Sequence, residues 1–199
     1  MSMYLSDESW ARVCRLDAPQ SYKKILEAIY GLAGWGAAID LGCGEAHVTR
    51  HWPKCALIDS VRREIPGRWI EQMDMRDVPA MLRDEKRRVD LMVMTDSIEH
   101  LLHCDAVKLL DDMERFCKAM VIFTPVGPYN LDEKAKHPDA HKSAWVPEQF
   151  WVSDWEIIEC PVYHRFDGGC ILGAFWAWKW MDGNTPTAEA VLAKAGVTL

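Results

Sequence analysis

The stretch Ile39-Asp40-Leu41-Gly42-Cys43-Gly44-Glu45-Ala46 decides how this chain of 199 residues is interpreted. It belongs to a short apolar run that begins at Ala37 and predicts a buried strand, closed by a tight Gly-x-Gly turn. We expect a helix next, from Glu45 to about Trp52, stopped by Pro53. A glycine turn between a strand and a helix lets a bound ligand come close to the backbone.

Apolar runs and helical patterns alternate along the chain, which is typical of a parallel α/β sheet. Helices are predicted from Ser21 to Leu32 and from Leu102 to Phe116. The strand pattern recurs in further segments, namely Cys55–Asp59, Trp69–Asp74, Val89–Asp96, Met120–Phe123, Glu156–Cys160 and Cys170–Trp180. The last two are candidates for antiparallel pairing.

Two segments interrupt this alternation. The stretch from Tyr129 to Lys142 has no periodicity and is long enough to suggest a functional loop, and Pro147 to Trp151 predicts a helical turn. Beyond Asp182 we expect a loosely held tail with one helical stretch near Ala188 to Lys194.

The composition fits an ordinary globular protein, with 49% hydrophobic and 27% charged residues. The length corresponds to about one domain. We expect a single domain over residues 1–181, with 1–20 as an N-terminal cap segment, followed by a C-terminal tail over 182–199. The net charge of −7 disfavours a nucleic-acid partner. No feature indicates an oligomeric state.

The cellular compartment is predicted from three features that the sequence does not show. No run approaches the ~20 apolar residues of a membrane span. The segment from Met1 to Asp7 has no basic region followed by an apolar run, and the seven cysteines have no CxxC spacing. We therefore expect a cytoplasmic protein with reduced thiols and no membrane partner.

Acidic residues end four of the predicted strands, at Asp40, Asp59, Asp74 and Asp96. The carboxyl ends of parallel strands share one edge of the sheet, where open α/β sheets bind ligands. The turn lacks the third glycine of a dinucleotide site, and its flanking acids Asp40 and Glu45 would repel a pyrophosphate. A cofactor with a cationic amino group and a sulfonium, S-adenosylmethionine, suits these charges better.

The motifs in this order resemble class I S-adenosylmethionine-dependent methyltransferases of the Glu-His-Leu and His-x-Ser-x-Trp type. The matching pieces are 40–44, Leu-Ile-Asp at 57–59, 74–75, 96–101 and Phe-Thr-Pro-Val-Gly at 123–127. The resemblance implies a seven-stranded, mostly parallel sheet flanked by helices, with an antiparallel final strand. It also implies a set of cofactor-binding residues, namely Asp40, Gly42, Cys43, Gly44, Asp59, Ser60, Asp74, Met75, Thr95 and Asp96.

The same resemblance implies roles for these residues. The glycine turn would line the methionine moiety, with Asp40 near its amino group. Asp59 would hold the ribose, and Asp74 and Met75 the adenine. Thr95 and Asp96 would close the site beside the methyl donor.

A second constellation supplies candidate catalytic residues, Glu99, His100 and His141. His100 could act as a general base toward an acceptor hydroxyl. Alternatively, Asp96, Glu99 and His100 could ligate a divalent ion together with His141. The arrangement resembles small-RNA 3′-terminal 2′-O-methyltransferases, which hold a metal with such residues, and bacterial methyltransferases that often act on small metabolites or glycans.

Two departures from the RNA group weaken the metal interpretation. Asp96 stands where that group has Glu, and Leu101 replaces a second histidine. We therefore favour methyl transfer to an oxygen or nitrogen of a small molecule and disfavour a divalent metal. The alternatives are a metal-assisted RNA 2′-O-methyltransferase and a non-catalytic protein that binds S-adenosylmethionine. The period-2 spacing of Trp176, Trp178 and Trp180 indicates one strand face, either packed in the core or lining a substrate pocket.

Overall fold

The computed structural model describes residues 20–129, 131–134, 136–151, 154–165 and 171–197. The strands are β1 (Ala38–Leu41), β2 (Cys55–Asp59), β3 (Ile70–Gln72), β4 (Val89–Thr95), β5 (Cys117–Pro125), β6 (Glu156–Arg165) and β7 (Ile171–Trp180). The helices are α1 (Gln20–Leu32), α2 (Val78–Asp84), α3 (His103–Met113) and α4 (Ala188–Ala195). Short 3₁₀ turns lie at Thr49–His51, Met75–Asp77, Ile98–His100 and Pro147–Gln149.

All seven strands form one sheet in the order β3-β2-β1-β4-β5-β7-β6. Strands β1 to β5 are parallel, whereas β7 is antiparallel to both of its neighbours. The predicted fold class is therefore confirmed. The strand order reverses between β1 and β4. Open α/β sheets bind ligands at such a reversal, in the crevice outside the carboxyl ends of the strands.

Both faces of the central strands are buried, which explains the apolar run from Ala119 to Phe123 in β5. On one face, Phe123 and Trp176 pack under α1, with Tyr22 at 5.1 Å from each ring. Trp178 lies on the same face, fully buried, and its indole N–H donates to the Pro186 carbonyl at 2.8 Å. These two tryptophans are therefore core residues. Burial of such side chains stabilises the fold by about 1.5–3 kcal/mol each.

The helix predicted from Glu45 to Trp52 is wrong, since only the 3₁₀ turn Thr49–His51 forms there. Ala46 adopts a left-handed backbone with φ +47°, which a continuous right-handed helix excludes. The short connection is held instead by Arg68, whose guanidinium donates to the carbonyls of Trp52 at 2.9 Å and Cys55 at 2.6 Å.

The chain after Asp182 packs more firmly than expected. Its predicted helical stretch is confirmed as α4, which lies against α1 and buries Val191 completely. The carboxylate of Glu156 accepts the Ala188 N–H at 3.0 Å. The predicted N-terminal cap segment lies, apart from Gln20, outside the described residues. Within the described part of the chain, no helix has the length and apolar character needed to cross a membrane.

Candidate active site

The glycine turn follows β1 and is anchored to the neighbouring strand. The N–H groups of Gly42 and Cys43 both donate to the Ile58 carbonyl at 2.9 Å. Gly42 has φ +70°, and a Cβ there would lie 2.7 Å from the Ser97 Cβ. Gly44 has φ +51°, but no described atom lies within 4 Å of a Cβ built there. Gly42 is thus required for packing, while Gly44 leaves backbone open to a ligand.

Asp40 carries a buried carboxylate below this turn, 2% exposed. Its Oδ2 accepts from the Thr49 hydroxyl at 2.5 Å, whereas its Oδ1 has no hydrogen-bond partner among the described residues. Burial raises the pKa of Asp40 to about 7; the Thr49 hydrogen bond opposes this shift and the charge of Asp59 adds to it. A buried oxygen without a partner is costly, and a cationic group would satisfy it.

Asp59, at the end of β2, is also buried but well paired. Its carboxylate accepts the N–H groups of Gly44 and Val61, each at 2.8 Å. The Arg63 guanidinium donates to Asp59 at 3.2 Å and to Asp139 at 3.3 Å. The predicted ribose acid therefore fixes the glycine turn and, through Arg63, the loop that carries His141.

Met75, one of the two predicted adenine residues, lies next to the same turn. The Met75 Cε is 3.0 Å from the Cβ position at Gly42. Asp74 caps the following 3₁₀ turn and binds the Arg76 guanidinium at 2.6 Å, and these hydrogen bonds lower the pKa of Asp74. Arg76 also reaches Asp105 at 2.9 Å.

Three further predicted cofactor residues differ in burial. Ser60 is exposed beyond β2, and Thr95 is half-buried at the end of β4. Cys43 is buried, and this burial raises the pKa of its thiol, which stays protonated at neutral pH.

Asp96 follows β4 with a left-handed backbone, φ +49°, and its N–H donates to the Phe123 carbonyl at 2.8 Å. The Tyr163 hydroxyl donates to Asp96 Oδ2 at 2.6 Å. Burial and the nearby charge of Glu99 raise the pKa of Asp96, while Tyr163 and His100 oppose this shift. Tyr163 therefore fixes the position of the Asp96 carboxylate.

The three predicted catalytic residues lie together. One ligand atom from each of Glu99, His100 and His141 lies within 4.8 Å of the others. Glu99 is 3% exposed; its Oε2 accepts the Thr124 hydroxyl at 2.9 Å, and its Oε1 is buried with no partner among the described residues. Burial raises the pKa of Glu99. The cluster therefore offers a carboxylate oxygen, Glu99 Oε1, that no donor among the described residues satisfies.

The two histidines differ in what their rings can do. His100 directs Nε2 at the Asp96 carbonyl at 3.1 Å and Nδ1 at the Ala140 carbonyl at 3.3 Å. Carbonyl oxygens only accept, so neither nitrogen of His100 has a lone pair directed at an open space. In contrast, burial and the neighbouring His100 lower the pKa of His141 to about 4. His141 is therefore neutral at physiological pH, as a proton acceptor or metal ligand must be.

Backbone hydrogen bonds bring the loop to the cluster. The N–H groups of Lys142 and Ser143 donate to the Glu99 carbonyl at 2.7 and 3.1 Å. Trp145 is buried, and its indole N–H donates to the Ser143 hydroxyl at 2.8 Å. The His-x-Ser-x-Trp motif thus closes the loop over the end of β4.

Sequence reasoning missed three hydroxyl residues that hold the site acids. Thr49, Thr124 and Tyr163 donate to acids 9, 25 and 67 residues away in the chain. Local spacing carries no signal for the two distant pairs, since the sheet alone brings them together.

Comparison with known proteins supports the fold. No protein-family model and no curated protein matches the sequence. Among solved structures, the N-terminal domain of EvdMO1 with SAH bound is similar at 13% identity and a TM-score of 0.54, over 88% of this chain and 84% of that one. An S-adenosylmethionine-dependent methyltransferase from Leishmania major is similar at 15% identity and 0.52, over 80% and 72%.

The small RNA methyltransferase HEN1 is similar at 16% identity and a TM-score of 0.54, over 86% of this chain but only 27% of the HEN1 chain. At these identities the likeness concerns the fold alone. The strand order and these neighbours together show that the chain has the class I methyltransferase fold.

Proposed function

We propose that the protein is an S-adenosylmethionine-dependent methyltransferase. The observation that carries this proposal is the open backbone at Gly44, together with a buried oxygen of Asp40 that has no partner among the described residues. A cationic amino group satisfies that oxygen, so the residues fit the methionine end of the cofactor. The EvdMO1 neighbour was solved with SAH bound, which supports the same ligand class.

The residues of this chain have separate roles in the proposed reaction. The glycine turn and Asp40 orient the methionine end of the cofactor. Asp59 binds its ribose and Asp74 its adenine. The cofactor supplies an electrophilic methyl group, and transfer by in-line displacement depends mainly on positioning and desolvation. His141, buried and neutral, accepts a proton when the acceptor is a hydroxyl.

Calorimetry with S-adenosylhomocysteine (SAH) tests the cofactor site. We expect the wild-type protein to bind and Gly44→Val to lose binding, because the valine side chain fills the open space. Asp111→Asn, an exposed acid on α3, is the matched control and should bind normally. Absence of binding at high micromolar SAH would refute the proposal.

For the acceptor, we favour an oxygen or nitrogen of a small molecule. The net charge of −7 supports this choice, since nucleic-acid surfaces are usually basic. A screen of phenols, amines, sugars and short RNAs, read as release of SAH, tests it. Turnover restricted to RNA would overturn it, and SAH binding without turnover of any acceptor would favour a non-catalytic protein.

A second candidate, metal-assisted 2′-O-methylation of RNA, is favoured by the cluster of Glu99, His100 and His141. Two imidazoles and one carboxylate suit Mn²⁺ or Zn²⁺, and Glu99 Oε1, which has no partner in the described part of the chain, fits such a cation. One ring nitrogen of His100 would have to leave its carbonyl partner. A divalent cation there supplies Lewis acidity toward an acceptor hydroxyl.

Titration with Co²⁺ tests the metal site directly. We expect Glu99→Gln to weaken binding strongly, because the only negative ligand is lost. His103→Gln is the control: the His103 ring packs at a tilt against Trp145, with a centroid distance of 4.5 Å, and lies outside the cluster. Equal cobalt affinity of both variants and wild type would refute this candidate, as would RNA methylation that a chelator leaves unchanged.

A further inference from the structure

An irregularity in strand β6 lies beside Tyr163. β6 pairs with β7 in one register up to Cys160 and in another from His164, so that three residues of β6 lie opposite Gly173 alone. Such bulges redirect side chains and occur next to active sites. Tyr163 is 7% exposed and packs edge-on against Phe123 at a centroid distance of 4.8 Å.

This placement brings the Tyr163 hydroxyl to the carboxylate of Asp96, at 2.6 Å. Asp96 lies three residues before Glu99 and is the acid nearest to Glu99 along the chain. Nevertheless, the atoms that lie within 4.8 Å of one another come from Glu99, His100 and His141, without Asp96. Among the described residues, its carboxylate makes no hydrogen bond to the cluster, whereas its main-chain carbonyl accepts from His100 Nε2 at 3.1 Å.

We propose that Tyr163 is a positioning residue that holds the Asp96 carboxylate out of this cluster, so that a bound divalent cation has three protein ligands. This inference rests on the metal-binding candidate function above. Catalytic metal sites keep coordination positions open for substrate, whereas a fourth protein ligand closes a tetrahedral site. Tyr163 thus preserves the open positions that an acceptor hydroxyl would need.

Cobalt titration of four variants tests the inference without measuring activity. Asp96→Asn alone should leave the Co²⁺ affinity unchanged, because Asp96 is not a ligand while Tyr163 holds it. Tyr163→Phe should raise the affinity about tenfold, the scale at which outer hydrogen-bond partners act on metal sites. It should also change the visible absorption of bound cobalt, which reports coordination number. In the double variant, both changes should disappear.

Tyr30→Phe is the matched control, because it removes another buried tyrosine hydroxyl, which donates to the Gly36 carbonyl at 2.9 Å. It should leave cobalt binding unchanged. Weaker binding by Asp96→Asn, no gain in Tyr163→Phe, or a gain that persists in the double variant would overturn the inference alone. No cobalt binding by wild type or any variant would overturn the metal-binding candidate together with it.

Discussion

Replacing Asp40 by Asn removes a charge that folding buries beneath the glycine turn. The carboxyl has a pKa of about 7 in the folded protein, against 3.8 for the ordinary group, mainly because of burial. A difference of roughly three pKa units corresponds to about 4 kcal/mol. That is a large part of the about 5–15 kcal/mol that stabilises a typical domain.

The direction of the pH dependence follows from this raised pKa. Well below pH 3.8 the Asp40 carboxyl is neutral in both the folded and the unfolded protein, so folding carries no free-energy cost of burying a charge there. As the pH rises toward 7, the unfolded chain loses the proton first, so wild-type stability falls through this window and is constant above it. Asparagine stays neutral and keeps an oxygen for the Thr49 hydroxyl. The free energy of unfolding of Asp40→Asn should therefore exceed that of the wild type by up to about 4 kcal/mol at pH 8. At pH 4 the two should be almost equal.

Urea unfolding at pH 4, 6 and 8, followed by tryptophan fluorescence, measures the difference. Thr49→Val is an informative companion: it removes the bond that lowers the pKa of Asp40, so the pH-dependent loss should grow. A gain in Asp40→Asn that is equal at pH 4 and pH 8 would refute the reasoning, as would no gain at pH 8.

The same substitution should weaken cofactor binding. A hydrogen bond to a charged group contributes about 1.5–3 kcal/mol, so S-adenosylmethionine should bind about ten- to a hundredfold more weakly to Asp40→Asn. Asp40→Asn should thus be more stable than the wild type but bind the cofactor more weakly, the trade-off expected when a binding site buries a charged group. If calorimetry gives wild-type affinity, the cofactor amino group does not lie at Asp40.

Two other sites give further predictions. Gly44→Ala should lower the free energy of unfolding by about 1 kcal/mol from backbone strain alone. Gly42→Ala should cost more, because its Cβ would also meet Ser97 at 2.7 Å; urea unfolding compares the two, and equal losses would contradict the packing argument. Arg63→Met should cut the link between Asp59 and the loop, yet change stability by less than about 1 kcal/mol, since the ion pairs are partly exposed. Limited proteolysis within the loop should become faster, and an unchanged cleavage rate would show that Arg63 does not restrain it.

Much of the fold could be predicted because its signals are local. Buried parallel strands appear as short apolar runs, so β1, β2, β4 and β5 were predicted within a few residues of their observed ends. The helix expected after Gly44 was predicted wrongly, since the left-handed backbone at Ala46 depends on the packing around the turn. The site predictions identified both histidines and the carboxylate of the cluster but not the partners that orient them.

The sequence by itself determined the sheet, the glycine turn and the edge at which the acids collect, because these follow from apolar periodicity and chain order. Only the tertiary structure decided which hydrogen-bond partners each acid has. Asp40 and Glu99 each keep a buried oxygen without a described partner, whereas Asp59 is held by Arg63 and Asp96 by Tyr163. Burial and the approach of residues distant in the chain set these differences, and no local pattern encodes either.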